Sequence, residues 1–256
     1  MIHAFNMICR DTQKYAEWQT AGKRYFNENW PHSKGGLEAF VRGGELSGEA
    51  VRRAWFDAAD THVFISHSHK DESLALGLAG YLQSLGLIPF IDSMIWGDSS
   101  QLLRRIDNQH CRSDDDSKYF DYAKRNYSTS HVHMMLASAL AEMIDRTDAV
   151  IFLNTPNSID IESAAAPGDA VTASPWIYHE LATSRIVRKA GYKGRFPARV
   201  SLEERAEATA SLRIVHKAPL EHLWELTPEH LEQIAVMPKR GLNLLDELYE
   251  RSGKKR

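Results

Sequence analysis

The sequence predicts an α/β fold in which helices cover a mostly parallel β-sheet. Three short apolar runs, residues 63–65, 88–91 and 149–153, have the composition of buried strands. Between them lie segments whose apolar residues recur at helical spacing. An alternation of strands and helices predicts right-handed crossovers, and therefore parallel neighbouring strands.

Length and composition indicate an ordinary globular protein with one large domain, or one domain with an appendage. Hydrophobic residues make up 43% of the 256 and charged residues 25%. A net charge of -3 gives no general attraction to nucleic acid or anionic membranes, and no apolar run reaches bilayer length. The start lacks a signal-peptide pattern, and Cys9 and Cys111 are too few for a disulfide framework. We therefore expect a cytoplasmic protein without nucleic-acid or membrane partners.

Residues 1–60 are predicted to form a helical extension outside the sheet domain. Ser47 can cap a helix, and a stretch around Tyr15, Trp18 and Tyr25 is also predicted to be helical. The apolar face of the Ser47 helix consists of Ala50, Val51, Ala54, Trp55 and Ala58.

The first strand, residues 63–65, precedes a helix that Asp71 caps and Gly86 ends. One face of this helix is apolar: Leu74, Leu78, Leu82 and Leu85. The second strand, residues 88–91, contains Pro89, which suits a position where a ladder donor is dispensable.

The clearest helical stripe follows a long, Asp-rich polar segment at residues 93–129. It consists of Val132, Met135, Leu136, Ala139, Leu140, Met143 and Ile144. The third strand comes next, and Ser174 followed by Pro175 predicts another helix start. A later strand is predicted at 212–215. After Thr227, a C-terminal helical region is predicted on Leu231, Ile234, Leu244, Leu245 and Leu248.

Polar residues follow all three predicted strands. Ser66, His67 and Ser68 come after the first strand, residues 92–96 after the second and residues 154–157 after the third. Ligands of parallel α/β sheets bind outside the carboxyl ends of the strands. The sequence therefore predicts a functional crevice at this edge.

Two motifs resemble those of bacterial Toll/interleukin-1 receptor (TIR) domains. Residues 62–71, HVFISHSHKD, resemble the family's opening strand and loop, and the strand ending at Asp92 fits its second strand. Residues 174–181, SPWIYHEL, are similar to the helix that carries the catalytic Glu of NAD-cleaving TIR enzymes. That similarity includes Trp176, four residues before Glu180.

The resemblance implies a flavodoxin-like TIR domain at residues 61–220, with helical extensions at 1–60 and 221–256. It also implies cleavage of the nicotinamide–ribose bond of NAD, with Glu180 as the catalytic residue. NAD is then the substrate, and neither a metal nor a cofactor is expected. The candidate substrate-binding residues are Ser66, His67, Ser68, Asp92, Trp96 and Trp176.

Family behaviour implies products such as ADP-ribose or its cyclic or conjugated forms, in bacterial anti-phage immunity. It also implies homo-oligomers formed through TIR surfaces, and a separate effector that the product activates. The segment 93–129 is longer than the corresponding loop of the family, and we expect it to form a lid or a partner surface.

The chemistry suits the residue types. Trp176 and Glu180 share a helix face at i and i+4, so an indole can cover a base or ribose beside a carboxylate. Glycosidases commonly need a second carboxyl group to protonate the leaving group. Nicotinamide already carries the positive charge and leaves neutral, so one carboxylate that stabilises developing charge can suffice.

Plainer interpretations stay open beside these. Glu180 also suits a solvated carboxylate near a helix start, and Trp176 a core aromatic. A TIR scaffold without turnover is the main alternative function, and a deoxyribosyltransferase-like enzyme is another. The alternating pairs His67/His69 and His131/His133 suggest a metal site, but no CxxC pair is present and His131 and His133 would not share a helix face. HELAT at 179–183 lacks the second His of a zinc protease.

Overall fold

A computed structural model describes residues 3–30, 41–42, 45–48, 50, 53, 60–96, 99–160, 170–187 and 215–253. The strands of this part are β1 (His3–Ile8), β2 (Val41–Arg42), β3 (Glu45–Leu46), β4 (Val63–Ser66), β5 (Pro89–Phe90), β6 (Ala149–Asn154), β7 (Val171–Thr172), β8 (His216–Lys217) and β9 (Trp224–Leu226). The α-helices are α1 (Gln19–Asn29), α2 (Glu72–Ser84), α3 (Ser93–Trp96), α4 (Ser99–His110), α5 (Tyr122–Arg146), α6 (Pro175–Ile186), α7 (Pro228–Ala235) and α8 (Leu242–Gly253). Two 3-10 turns cover Ala16–Trp18 and His69–Asp71.

The central sheet has five parallel strands in the order β5-β4-β6-β1-β9. The three strands predicted from the sequence are neighbours in the order second, first, third, as in flavodoxin-like sheets. Helices flank this sheet, so the predicted α/β class is confirmed. β4 is buried along its whole length, as its continuous apolar run predicts.

The helical prediction for the N-terminal segment is wrong at residues 3–8. β1 lies between β6 and β9 and pairs with β6 from His3 opposite Ala149 to Ile8 opposite Asn154. β1 begins with the polar His3, and Asn6 interrupts its apolar run, so the local pattern does not indicate a buried strand. The C-terminal segment is likewise not purely helical, because β9 forms an edge of the same sheet.

The other predicted elements of the N-terminal segment are helical where they are described. Trp18 ends a 3-10 turn and Tyr25 lies in α1. The amide of Ala50 donates to the Ser47 hydroxyl at 3.2 Å, which is the predicted cap. The remaining residues of that apolar face lie outside the described residues, as do 212–214 of the strand predicted at 212–215.

α1 and the turn before it pack closely against α2 through glycines. A Cβ on Gly80 would lie 2.2 Å from the carbonyl oxygen of Trp18, and one on Gly22 would lie 2.0 Å from that of Leu76. Both positions therefore require glycine, because the backbones of the two helices approach each other too closely for a side chain. α2 ends at Gly86, whose φ of 80° is the left-handed conformation that glycine tolerates.

The segment 93–129 is largely helical. It forms α3, α4 and the first turns of α5, and α4 packs against α5. The connection between them is held by an antiparallel bridge between Arg112 and Phe120. α5 begins at the cap Asp121, which accepts from the Lys124 amide. Its predicted stripe is buried except for Met135, which is half-buried.

The predicted start of α6 is confirmed. Ser174 accepts from the amide of Ile177 at 3.3 Å, and Pro175 occupies the first helical position. The predicted apolar residues after Thr227 are buried in α7 and α8. Among the described helices, none combines the length and apolar composition needed to cross a lipid bilayer.

Candidate functional site

Ser66 and Glu180 meet at the carboxyl edge of the sheet. Ser66 is the last residue of β4, and Glu180 lies in the second turn of α6. The Ser66 hydroxyl donates to Oε2 of Glu180 at 2.5 Å, and 114 residues of sequence separate the two. Ser66 is fully buried and Glu180 is only 2% exposed. Glu180 is therefore not the solvated helix carboxylate of the plainer interpretation.

His67 and Asp92 form the second half of this site. Nδ1 of His67 lies 3.9 Å from Oδ1 of Asp92, and Nε2 lies 3.2 Å from the hydroxyl of Ser93. His67 directly follows β4, whereas Asp92 and Ser93 follow β5, the neighbouring strand. Two adjacent strand ends thus bring these side chains together, as expected for a parallel sheet.

The carboxyl groups of this site resist ionisation. Burial raises the pKa of Glu180 well above its usual range, and the negative charge of Asp92 raises it further. The hydroxyl of Ser66 acts in the opposite direction, because it donates to the carboxylate form. Burial also raises the pKa of Asp92, and the nearby His67 opposes this.

The imidazole of His67 is held toward its neutral form. Burial lowers its pKa, and the charge of Asp92 is the largest influence in the opposite direction. Ionisable groups perturbed by burial and by each other are concentrated at functional sites. Ser66, His67, Asp92 and Glu180 are therefore the candidate site.

The other predicted site residues have different surroundings. Trp176 is half-buried against the core, with its ring edge-on to His133 of α5 at 5.6 Å between centroids. Ser68 directly precedes the 3-10 turn as its N-cap residue, and its carbonyl oxygen accepts from the amide of Asp71 at 2.7 Å. Trp96 ends α3, and its side chain lies outside the described part of the chain.

A buried network beside the site was not predicted. The carboxylate of Asp71 accepts from the hydroxyl of Thr155 at 2.5 Å and from the amide group of Asn157 at 2.7 Å. Asp71 occupies the N-cap position of α2, but its side chain makes no capping hydrogen bond there. The predicted capping hydrogen bond is therefore wrong, because the carboxylate of Asp71 instead links α2 to the loop after β6. The sequence indicated this contact only in that polar segments follow both β4 and β6, which are neighbours in the sheet.

The site can stabilise positive charge or bind hydroxyl groups. A carboxylate in a buried position interacts with a cation more strongly than one in water. Serine hydroxyls and an imidazole beside it can donate to or accept from ribose hydroxyls. Within the described residues, no three or more His, Cys, Asp or Glu side chains form a group that could hold a metal ion.

Comparisons with known proteins identify no relative. No protein-family model matches the chain. No curated protein and no solved structure matches it significantly.

Proposed function

We propose that this protein is a TIR-type enzyme that cleaves the nicotinamide–ribose bond of NAD. The observation that carries the proposal is the buried Ser66–Glu180 hydrogen bond. Ser66 belongs to the first TIR-like motif and Glu180 to the second, and both motifs meet at the carboxyl edge of the sheet, where α/β proteins commonly bind ligands. A scaffold that only assembles has no need for a buried carboxyl group at this edge.

In this reaction the bond between C1′ of the ribose and the ring nitrogen breaks. Both bonding electrons go to nicotinamide, which leaves as a neutral molecule, and positive charge develops on the ribose. The ionised Glu180 stabilises that charge, and water adds to C1′ and loses a proton to give ADP-ribose. Attack by a group of the same dinucleotide instead of water would give a cyclic product.

The remaining residues receive supporting roles. Ser66 positions the carboxylate of Glu180. The pair of His67 and Asp92 lies beside Glu180 at the carboxyl ends of the strands. The assignment of Ser68, Trp96 and Trp176 as substrate-binding residues remains a prediction.

The free thiols of Cys9 and Cys111 are typical of a reducing compartment, so we propose that the activity is cytoplasmic. There it would serve anti-phage immunity, with its product acting on a separate effector.

The test is NAD consumption by the purified full-length protein at high concentration, with product analysis, beside Glu180→Gln. We expect the variant to lose about a hundred- to a thousand-fold in rate, as when other electrostatic stabilisers are removed. Glu250→Gln is the matched control, because Glu250 is an exposed carboxylate on α8. Full activity in Glu180→Gln would show that the site assignment is wrong.

A non-enzymatic TIR scaffold is the second candidate. The observation that favours it is a group of exposed aromatic side chains around the start of α5: Tyr119 at 68%, Tyr122 at 81% and Tyr127 at 69% exposure. Exposed tyrosines are common anchors of protein interfaces. Concentration-dependent self-association without any NAD turnover would favour this candidate over the enzyme.

A further inference from the structure

The candidate site brings together two carboxyl groups, one imidazole and one serine hydroxyl. His67 lies beside Asp92, so those two charges can compensate each other when both groups are ionised. Glu180 has the neutral hydroxyl of Ser66 as its hydrogen-bond partner. Among the described residues, no lysine or arginine forms an ion pair with Glu180 or Asp92.

A buried carboxylate without a cation partner is unfavourable, and protonation of the carboxyl group removes that cost. Taking an unpaired charge out of water is unfavourable even after the protein relaxes around it, and proteins avoid this cost by neutralising the group. Burial raises the pKa of Glu180, and so does the neighbouring Asp92. Buried and hydrogen-bonded to the neutral hydroxyl of Ser66, Glu180 is therefore the group that holds the proton.

The other charged groups near the site act on His67 and Asp92. Asp71, at the end of the 3-10 turn, and Glu72, the first residue of α2, favour the charged form of His67. His69, in the same 3-10 turn, favours ionisation of Asp92. None of these contributions outweighs burial, which lowers the pKa of His67 and raises that of Asp92. Glu180, whose pKa is raised well above its usual range, is the group that can exchange its proton for a ligand charge.

We propose that the site binds a cationic ring with release of one proton, the charge of the ligand replacing the proton of Glu180. The step balances, because a neutral carboxylic acid and a cation become a carboxylate–cation pair, and the proton passes to solvent. Ser66 is positioned to donate to the carboxylate that forms. The inference rests on the proposed function only in its choice of ligand, since the pyridinium ring is the cationic part of NAD.

The test compares two probes that differ in charge. 1-Methylnicotinamide carries the pyridinium charge but no glycosidic bond, so no cleavage can occur, and nicotinamide is its neutral counterpart. Calorimetric titration of the full-length protein in two buffers with different ionisation enthalpies counts the protons released. We expect about one proton per cation bound, and a cation affinity that rises about tenfold per pH unit below the pKa of Glu180. Nicotinamide should release none.

Variants of the protein test whether the released proton comes from Glu180. Glu180→Gln should bind the cation without proton release and with no dependence on pH, whereas Glu250→Gln should behave like the parent. Asp92→Asn removes the negative charge that favours the protonated form of Glu180. The pH dependence of cation binding by this variant should therefore move to lower pH. The proposal would be overturned if the cation does not bind the parent protein, or binds it without proton release. It would also be overturned if cation binding to Glu180→Gln releases the same proton.

The outcomes separate this inference from the proposed function. Proton-linked binding of the cation without NAD turnover would support the coupling and count against the enzyme. NAD turnover that depends on Glu180, with no proton released on cation binding, would support the enzyme and overturn the coupling.

Discussion

Replacing Gly80 by alanine should show whether the N-terminal segment is an integral part of the fold. A Cβ at this position would lie 2.2 Å from the carbonyl oxygen of Trp18 and 2.8 Å from the amide nitrogen of Gly22. Both distances are below 3.0 Å, a separation that real Cβ contacts essentially never show. Because both neighbours are backbone atoms, α1 and the turn before it must move away from α2.

The size of the effect follows from two opposing contributions. Overpacking of this kind costs about 1–3 kcal/mol, and a contact with immovable backbone lies at the upper end. Alanine has a higher helix propensity than glycine, and this offsets the cost by about 1 kcal/mol. The net loss is therefore about 2 kcal/mol of unfolding free energy.

Urea denaturation of the full-length protein measures this loss. With a slope of about 2 kcal/mol per molar, typical of urea unfolding, the midpoint should fall by about 1 M. Gly48→Ala is the matched control, because among the described residues a Cβ there would meet just the flexible Met135 side chain, at 3.4 Å. It should leave the midpoint unchanged or slightly raised. A Gly80→Ala midpoint at or above that of the parent would refute this account of the packing.

Three further outcomes are expected. A chain beginning at residue 61 should lack a cooperative urea transition, because β6 and β9 lose the strand that lies between them; a sharp transition would show that β1 is dispensable. Ser66→Ala should shift the pH dependence of NAD cleavage to higher pH, because the lost donor favoured ionised Glu180; an unshifted profile would remove Ser66 from this role. The folded protein holds the Glu180 proton more tightly than the unfolded chain, so stability should fall as pH rises from about 4.5 through the raised pKa. Glu180→Gln should lessen that fall in the urea midpoint, and an equal fall in both proteins would contradict the assignment.

The sequence by itself determined the elements whose pattern is local. Continuous apolar runs identified β4 and β6, and a stripe at helical spacing identified α5, because each pattern records which side chains avoid water. The pair Ser174–Pro175 gave the start of α6, since its capping chemistry involves only adjacent residues. The order of strands and helices also placed the candidate residues at one edge of the sheet.

Only the tertiary structure decided which distant segments meet. The polar residues in β1 conceal a strand that its neighbours β6 and β9 stabilise, and pairing between strands far apart in sequence leaves no local pattern. The same holds for Asp71, which has the sequence position of a helix cap but binds the loop after β6. Ser66 and Glu180 likewise become a buried pair through packing, because desolvation and proximity across the fold depend on long-range contacts.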